Sequence, residues 1–247
     1  MKLTRKYGLI GKNISYSFSS TFFKEKFEKE NQYNFSYQNF DIQSLVEFKS
    51  VLINNPNLVG LNVTIPYKET IIPFLDKLSK KAKAIGAVNV IKFTKKNKLK
   101  GCNSDYYGFK KSLQPLLKSN HKKALILGTG GASKAVAFAL TQLGIEYSFV
   151  SRKGNFNTLD YKNLSSDTFS EFQIVINCTP LGTFPDINLL PDLPYSFFTA
   201  NHIAFDLIYN PAQTTFLKKA SENGAVCKNG LEMLIFQAEK AWKIWNK

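Results

Sequence analysis

A glycine-rich turn between two apolar segments is the part of this sequence that points most directly to a chemistry. Residues 124–127 form a short apolar run, typical of a buried parallel strand, and Gly128-Thr129-Gly130-Gly131 follows at once. Such a turn can bring bare backbone close to a phosphate. The helix that we expect Ser133 to open would direct its first N–H groups at that phosphate. The spacing therefore predicts a dinucleotide-binding βαβ unit.

The residues after the next apolar run predict which dinucleotide is bound. Residues 147–150 end about 20 positions beyond the turn, where a carboxylate would hold the ribose 2′-hydroxyl of NAD. Here Ser151 is followed by Arg152 and Lys153, whose cations suit the 2′-phosphate of NADP. The chain has only one other arginine, Arg5, among 33 Lys and Arg residues, so a rare forked cation occupies the cofactor-selecting position. The alternative is an ordinary βαβ turn followed by a surface arginine.

In the first half, residues 62–68 carry polar groups at the end of an apolar strand. Strand alternation puts Asn62 and Thr64 on one face. Pro66 suits the first turn of a helix, which would place Lys68 near that helix's N-terminus. A cation is disfavoured there and releases its proton more readily, as a general acid or base at neutral pH requires. The alternative is a solvated surface lysine, common in so lysine-rich a chain.

Other polar residues stand where a plain structural interpretation expects apolar ones. An extended chain would point Ser17 and Ser19 the same way, so that both could donate to one carboxylate; a serine-rich cap of the following helix is the alternative. Asn89 and Asp105 lie beside predicted strands, and Asp105 either caps the next helix or faces a small polyol together with the lysine. Gln237 falls on or beside the apolar stripe of the last helix, either at its solvent edge or aimed at a ligand.

These residues need a frame of strands and helices, and the sequence predicts two such units. In the first hundred residues, strands are predicted at 7–10, 35–40, 59–63 and 89–93 and helices at 20–29, 44–53 and 67–74. The second unit has a predicted helix at 106–117 and strands near 123–127, 147–150, 174–177 and 204–207.

The predicted fold is two-domain α/β. Residues 1–104 would form a substrate-binding domain and residues 105–230 a Rossmann-like dinucleotide-binding domain. Helix Leu231–Trp245 keeps helical apolar spacing, and we expect residues 231–247 to pack back on the first domain.

Composition favours a folded cytoplasmic protein and argues against nucleic-acid and membrane functions. The 247 residues, 44% of them hydrophobic, can bury a sizeable core. The net charge of +15 comes from scattered lysines without a basic, base-stacking stripe, so only a weak attraction for anionic substrates is expected. Cys102, Cys178 and Cys227 are odd in number and widely spaced, which indicates neither a disulfide framework nor a metal site. The apolar runs are too short for a signal peptide or a membrane span.

Taken together, the motifs resemble those of the shikimate dehydrogenase family nearly from end to end. In order they are Y-G-L-I-G, S-x-S, N-V-T-I-P-Y-K, G-A-V-N, G-C-N-S-D-Y-Y-G, G-T-G-G-A-S-K-A, I-N-C-T-P-L-G, D-L-I-Y-N-P and G-L-E-M-L-I-F-Q-A. The resemblance implies a reversible, NADP-linked reduction of 3-dehydroshikimate to shikimate in aromatic amino-acid biosynthesis. It implies a small-molecule substrate and leaves a monomer or a homodimer open.

The resemblance also implies a role for each matching residue. Ser17 and Ser19 would hold the substrate carboxylate, and Lys68 with Asp105 would form the acid/base pair. The ring hydroxyls or keto group would be bound by Asn62, Thr64, Asn89, Asp105 and Gln237, with Tyr209 beside the substrate. The cofactor would be held by Gly128, Gly130, Gly131, Ala132, Ser151, Arg152, Lys153, Thr179, Leu207, Gly230 and Met233.

Three segments depart from the family's usual pattern. In the family's His-Ser-x-Ser-Pro motif, this chain has Tyr16 in place of the histidine and Ser20 in place of the proline. The family's Asn-Arg-Thr is Ser151-Arg152-Lys153 here, and its Asn-Thr-Asp is Asn103-Ser104-Asp105. The alternatives are a quinate or mixed quinate/shikimate dehydrogenase and a non-catalytic NADP-binding regulatory protein. Quinate dehydrogenases often use NAD, and Arg152, which has no acidic neighbour in the sequence, argues against that alternative. The intact Lys68 and Asp105 argue against a non-catalytic protein.

Overall fold

Short apolar runs separated by amphipathic segments fold here into two sheets with helices packed on them. The computed structural model describes residues 4–14, 17–154 and 158–247. The chain divides into two units, one made of residues up to Ser104 together with Ala238–Lys247, the other of Asp105–Gln237. Each unit contains one six-stranded sheet.

The first sheet is mixed. Its strands are β1 (Arg5–Gly11), β2 (Phe35–Asp41), β3 (Leu58–Val63), β4 (Lys77–Leu78), β5 (Val90–Phe93) and β6 (Leu99–Cys102), in the order β2-β1-β3-β5-β6-β4. β1 runs parallel to β2 and β3, whereas β5 is antiparallel to β3 and β6. Tyr7 is in register with Tyr37 and Gly60, and Leu9 with Asn62. Because strand side chains alternate, these residues share one face of the sheet.

Both faces of the first sheet are covered. Its helices are α1 (Phe18–Lys29), α2 (Phe48–Ile53), α3 (Tyr67–Thr70) and α4 (Lys80–Ile85). Phe23 and Phe27 of α1 pack on the face that carries Tyr7, together with Trp245 near the C-terminus. Gly60 leaves room for that tryptophan, since a Cβ there would lie 2.5 Å from the indole ring. The opposite face is buried by Phe48 of α2, Tyr67 of α3, Ile71 directly after α3, and Ala82 of α4.

The second sheet is entirely parallel. Its strands are β7 (Lys123–Leu127), β8 (Glu146–Ser151), β9 (Thr158–Asp160), β10 (Ile174–Asn177), β11 (Ile203–Asp206) and β12 (Val226–Lys228), in the order β12-β11-β10-β7-β8-β9. This is the strand order of the doubly wound dinucleotide-binding fold, and it reverses between β7 and β10. The predicted α/β fold with a Rossmann-like second half is confirmed.

The helices of the second unit are α5 (Asp105–Leu113), α6 (Gly131–Gln142), α7 (Ser166–Glu171), α8 (Thr215–Glu222) and α9 (Leu231–Trp245). β10 and β11 are fully buried along their length, as expected for parallel strands covered on both faces. The predicted bounds of α9 are those observed. The helix divides between the two units after Gln237, and Ala238–Lys247 belong to the first unit.

Several short elements were not predicted from the sequence: α4, α7, α8, β4, β6, β9 and β12. Four of them are strands of two to four residues, too short for an alternation pattern, and β4, β9 and β12 lie at sheet edges. The helix predicted at 44–53 is a single 3₁₀ turn, capped by Ser44 and Glu47, followed by α2. No helix among the described residues is both long and apolar enough to span a membrane.

Candidate functional site

The glycine-rich turn lies where the strand order of the second sheet reverses, which is where open α/β sheets bind ligands. β7 and β10 are neighbours there, with Leu127 paired to Asn177. Gly128 has a φ of +97°, a left-handed conformation that glycine adopts without strain, and its N–H donates to Val150 O (2.9 Å). A Cβ on Gly128 would come within 3.2 Å of Thr179. The turn and Thr179 therefore lie side by side.

Gly130 tests whether a phosphate-bearing cofactor fits this turn. Its φ of −79° and ψ of −178° are open to any residue, and a Cβ added to it would meet nothing within 4 Å. The fold itself thus has no need of glycine here, and open space adjoins the backbone. Gly130 is also the N-cap of α6, where no side chain among the described residues caps the helix. The N–H groups of Gly131 and Ala132 belong to the first turn and have no helical acceptor, so the site fits a pyrophosphate.

The helix begins two residues earlier than predicted. Ser133, expected to open α6, is its third residue, and its Oγ donates to Gly130 O (2.6 Å). The reason is the left-handed Gly128, which turns the chain early enough for Gly131 to be helical. As a result, the serine hydroxyl is engaged by the backbone of the turn.

A buried carboxylate organises the loops that follow β10 and β11. Asp206 accepts hydrogen bonds from Asn177 Nδ2 (3.1 Å), Ile208 N (3.0 Å) and Thr214 Oγ1 (2.6 Å). Asn177 Oδ1 in turn accepts from the N–H (3.0 Å) and the hydroxyl (2.7 Å) of Thr179. Burial raises the pKa of Asp206 to about 6, although these hydrogen bonds oppose the rise. The network fixes the position of Thr179 beside the glycine turn.

Ser151, Arg152 and Lys153 form the end of β8 and the turn after it, which we call the clamp turn. Ser151 Oγ donates to Lys153 O (2.8 Å) and closes the turn, while the two cationic side chains are exposed. Burial raises the pKa of the Tyr161 phenol to about 12, and the nearby Arg152 guanidinium opposes that rise.

An acidic residue does lie beside the clamp turn, in contrast to the expectation from the local sequence. Asp160 pairs with Ser151 across β8 and β9. Its carboxylate accepts from Lys162 N (3.0 Å) and, at 3.5 Å, from Gly154 N; the bond from Lys162 lowers the pKa of Asp160. Sequence reasoning missed it because β9, a three-residue edge strand, was not predicted. Its oxygens are engaged by backbone N–H groups, so the exposed cations dominate the turn.

The start of α9 lies against the end of β11. A Cβ on Gly230 would overlap Leu207 O, so only glycine allows this approach, and Gly230 N donates to Ile208 O (2.9 Å). Further along, Met233 and Gln237 are buried against α5, where a Cβ on Gly108 would overlap Met233 O. The solvent-edge alternative for Gln237 is thereby wrong. Tyr209, half-buried, follows β11 in the same loop as Leu207.

The two serines expected to share one face of an extended chain lie at the start of a helix instead. Ser17 is the extended N-cap of α1 (φ −103°, ψ 118°), yet its side chain makes no capping bond. Ser19 is the second residue of the helix, because the apolar spacing that buries Phe23 and Phe27 extends back to Phe18. Tyr16, one of the departures from the family pattern, lies outside the described residues.

Asn62 and Asn89 belong to one buried hydrogen-bonded chain in the first unit. Tyr37 Oη donates to Asn62 Oδ1 (2.8 Å), and Asn62 Nδ2 donates to Asn89 O (3.3 Å). Asn89 Oδ1 accepts from Ser104 N (2.6 Å), and Asn89 Nδ2 donates to Ser104 Oγ (2.9 Å). These partners fix which way each carboxamide faces. The result is a rigid set of donors and acceptors of the kind that recognises ring hydroxyls.

Lys68 is held beside this chain by its backbone. Its carbonyl accepts from Val88 N (2.7 Å), next to Asn89, and its side chain is half-buried. α3 is a single turn with Pro66 as its N-cap, rather than a helix with Pro66 in its first turn. A turn of four residues has little macrodipole, so the predicted electrostatic reason for Lys68 carries little weight. Thr64 follows β3 and fills the space left by Gly11.

Asp105 is buried and is the first helical residue of α5, not its N-cap. It directly follows Ser104, the residue that locks the Asn89 carboxamide. The structure thus brings Asn62, Asn89 and Lys68 into one part of the first unit. In the second unit it gathers three sets: the glycine turn with Thr179, the clamp turn, and the start of α9.

Sequence reasoning missed several residues that position the site. Tyr37 and Ser104 hydrogen-bond to the predicted site residues Asn62 and Asn89. Asp206, held by Thr214, acts on Thr179 through Asn177. Tyr37 could have been found from strand alternation, which places it on the same face of the predicted strand as Phe35. Asp206 ends a buried strand, where an acidic residue carries no structural advantage unless it is hydrogen-bonded.

Comparisons with known proteins agree with this geometry. Residues 9–91 match the family model described as the shikimate dehydrogenase substrate binding domain. A Methanococcus vannielii protein named shikimate dehydrogenase (NADP(+)) is 36% identical over 96% of this chain and 90% of its own length. The crystal structure of shikimate dehydrogenase from Aquifex aeolicus covers the whole chain (94% of its own) with a TM-score of 0.87 and 34% identity. That of the Thermus thermophilus enzyme in complex with NADP(H) and shikimate covers 98% (93% of its own), with a TM-score of 0.85 and 30% identity. This chain belongs to the shikimate dehydrogenase family.

Proposed function

We propose that this protein is an NADP-dependent shikimate dehydrogenase, which reversibly reduces 3-dehydroshikimate to shikimate. The observation that carries the proposal is the match to dehydrogenases named for shikimate and NADP(+), because it spans both units of the chain. The quinate alternative is not favoured by these relatives. The proposed enzyme is cytoplasmic, a monomer or a homodimer, and its partners are small molecules; the free thiols of Cys102, Cys178 and Cys227 support a reducing compartment.

The second unit is proposed to bind NADP, which when bound supplies or accepts the hydride. Gly128, Gly130, Gly131 and Ala132 would hold the pyrophosphate against the start of α6. Arg152 and Lys153, presented by the clamp turn that Ser151 closes, would hold the 2′-phosphate. Thr179, Leu207, Gly230 and Met233 would line the rest of the cofactor site. The open space at Gly130 and the exposure of both cations support this assignment.

Most of the residues proposed to bind the cyclic substrate belong to the first unit. Ser17 and Ser19 would donate to the substrate's carboxylate. Its hydroxyls or keto group would be bound by Asn62, Thr64, Asn89, Asp105 and Gln237, with Tyr209 beside it. The locked carboxamides of Asn62 and Asn89 support this role, since preorganised donors and acceptors lose little entropy on binding.

Lys68 and Asp105 are proposed as the acid/base pair. During reduction, the ammonium of Lys68 would deliver a proton to the carbonyl oxygen, or hold the alkoxide as it develops. In the reverse direction, the neutral amine would accept the proton of the same hydroxyl. Asp105 would orient that hydroxyl. No other group of the chain is assigned a proton-transfer step.

The Lys68→Ala variant tests this assignment. We expect its turnover with shikimate and NADP to fall roughly 10²- to 10⁴-fold, the usual contribution of a positioned acid or base. NADPH binding, measured by calorimetry, should be retained, because Lys68 belongs to the first unit and the cofactor residues to the second. Lys49→Ala, on the exposed surface of α2, is the matched control. Loss of NADPH binding in Lys68→Ala would contradict the assignment, and a wild-type protein that binds NADPH without turnover would favour the regulatory alternative.

A further inference from the structure

Two side chains of β2 hold the segment that follows β1, and neither of them belongs to a motif of the sequence. Asp41 accepts hydrogen bonds from Asn13 N (2.9 Å) and from Ile14 N (3.1 Å), one on each carboxylate oxygen. Asn39 Nδ2 donates to Ile14 O (3.2 Å). We infer that Asp41 and Asn39 are positioning residues, which fix Lys12–Ile14, here named the β1 loop, in the place that substrate binding requires. The inference rests on the proposed function and concerns affinity for the cyclic substrate.

The β1 loop has a backbone conformation that suits an anion, and Asp41 supplies that anion. Asn13 has a φ of +57°, in the left-handed region. A residue in this conformation can direct successive N–H groups to one side, where they form a concavity that binds anions. Asp41 is in register with Gly11, the last residue of β1, so its carboxylate lies beside the loop and receives both N–H groups. Hydrogen bonds to a carboxylate are stronger than those to a neutral acceptor.

The β1 loop sets the orientation of the Asn39 carboxamide. Asn39 Oδ1 is buried, and no donor among the described residues reaches it. Turning the carboxamide over would bring this oxygen against Ile14 O, which is also an acceptor, and would remove the bond from Nδ2. A buried acceptor without a donor costs stability. Asn39 thus fixes Ile14 at the expense of stability, a pattern expected of residues that serve a functional site.

On its other side, the β1 loop lies against a residue proposed to bind the substrate. A Cβ added to Gly11 would lie 2.5 Å from Thr64 Cγ2 and 2.7 Å from Ile14 Cγ2, so these two side chains flank the same glycine. Lys12 N donates to Ile65 O (3.2 Å), next to Thr64 in the chain. The β1 loop is therefore held between the end of β2 and the residues that follow β3.

The β1 loop also leads into the start of α1. Ile14 is buried, and Ser17, proposed to hold the substrate carboxylate, comes three residues later. Three residues of chain reach at most about 11 Å, so a fixed Ile14 limits where the Ser17 hydroxyl can lie. Without Asp41 or Asn39, the substrate itself would have to order the loop on binding. Affinity would fall, whereas proton transfer at Lys68 would be unchanged.

The Asp41→Ala and Asn39→Ala variants test the inference beside a matched control, Asp76→Ala. Asp76 is likewise an exposed carboxylate of the first unit that accepts from a backbone N–H, that of Leu99 (2.7 Å). We expect each test variant to raise the KM for shikimate roughly 5- to 30-fold, the equivalent of ordering about one backbone residue on binding. The kcat and the KM for NADP should change less than about twofold, and Asp76→Ala should match wild type in all three.

The double variant and amide hydrogen exchange provide two further measurements. Because both side chains hold Ile14, the double variant should raise the KM for shikimate no more than about twofold beyond the larger single effect. The amides of Asn13 and Ile14 should exchange slowly in wild type and faster in Asp41→Ala. Saturating shikimate should slow them again in the variant, because the bound substrate orders the loop.

The inference is overturned if Asp41→Ala exchanges faster at these amides but keeps the wild-type KM, if kcat falls in place of a rise in KM, or if the two substitutions multiply independently. Each of these results would leave the proposed function intact. Should Asp41→Ala fail to fold, Asn39→Ala decides by the same comparison of KM with kcat. A wild-type protein that neither binds nor oxidises shikimate would overturn the proposed function and this inference with it.

Discussion

Arg152 owes its exposure to the backbone around it. The Ser151 hydroxyl donates to a carbonyl within the clamp turn, and the Asp160 carboxylate, on the neighbouring strand, accepts from a backbone N–H. Neither group therefore occupies the Arg152 guanidinium, which can bind a phosphate of the ligand. Such a cation, in a turn at the end of the second strand of the dinucleotide unit, is placed to distinguish NADP from NAD.

Arg152→Ala should therefore change cofactor preference rather than general activity. We expect kcat/KM for NADP to fall roughly 10- to 100-fold, since each charge-assisted hydrogen bond to a phosphate is worth about 1.5–3 kcal/mol. The value for NAD should stay within about twofold. Steady-state rates with both cofactors check this, with Arg5→Ala, the other arginine of the chain, as control. An equal loss with NAD and NADP would contradict a role in 2′-phosphate recognition.

The raised pKa of Asp206 predicts that the free energy of unfolding depends on pH. Its pKa is raised to about 6 in the folded protein, against about 3.9 in an unfolded chain. Below about pH 4 the group is protonated in both states; as pH rises towards 6 the unfolded state loses its proton first. The contribution of Asp206 to the free energy of unfolding is therefore present below pH 4 and is lost between about pH 4 and 6. It amounts to roughly 2–3 kcal/mol.

Urea denaturation of wild type and Asp206→Asn between pH 4 and 7 measures this contribution. The stability of wild type minus that of the variant should decrease with rising pH over that interval and level off above it. Asp186→Asn, in an exposed loop, is the matched control. A difference between wild type and Asp206→Asn that is independent of pH would show that burial does not hold the proton on this carboxylate.

Among individual residues, those in local motifs could be predicted and those brought in by tertiary structure could not. Gly128 and Gly130 follow directly from the pattern of strand, turn and helix. Tyr37 and Asp160 could not be connected to their neighbours from sequence, because each reaches its partner across strands whose register only the folded sheet defines.

At the scale of elements, two glycines that look alike in sequence have opposite roles. Gly108 allows α5 and α9 to approach until backbone meets backbone, whereas Gly130 has no neighbour that requires its lack of a side chain. Gly108 is needed for the close packing of two helices, whereas Gly130 keeps the space in front of α6 open.

Gly108→Ala and Gly130→Ala separate these roles. The strain of overpacking against the Met233 carbonyl, typically about 1–3 kcal/mol or more, should exceed the gain of about 1 kcal/mol in helix propensity, so Gly108→Ala lowers the thermal midpoint. Gly130→Ala should keep the wild-type free energy of unfolding within about 0.5 kcal/mol. Its KM for NADP should rise at least about tenfold, because the methyl group occupies the space for the pyrophosphate. If Gly130→Ala lowers the free energy of unfolding and leaves the KM for NADP unchanged, the glycine is structural.

The long periodic elements were predictable and the short or capped ones were not. α9 follows from fifteen residues of continuous helical spacing. Ser17 and Ser19 were placed on an extended chain because two residues are too few to distinguish a strand from the start of α1. The early start of α6 depended on the left-handed Gly128, which a strand-and-helix pattern does not reveal.

At the scale of the whole molecule, the α/β class and the nucleotide-binding character of the second half could be predicted from alternating elements and one motif. The order of the strands within each sheet could not, since it depends on which buried faces pair after the helices have packed.

Initial rates with shikimate and with quinate, each with NADP and with NAD, test the central proposal most directly. They can be followed by the absorbance of the reduced nicotinamide. We predict strong turnover with shikimate and NADP alone, because the relatives are named for this pair of ligands and the exposed cations of the clamp turn suit the 2′-phosphate of NADP. Comparable rates with quinate or NAD, or no turnover in any pairing, would contradict an NADP-dependent shikimate dehydrogenase.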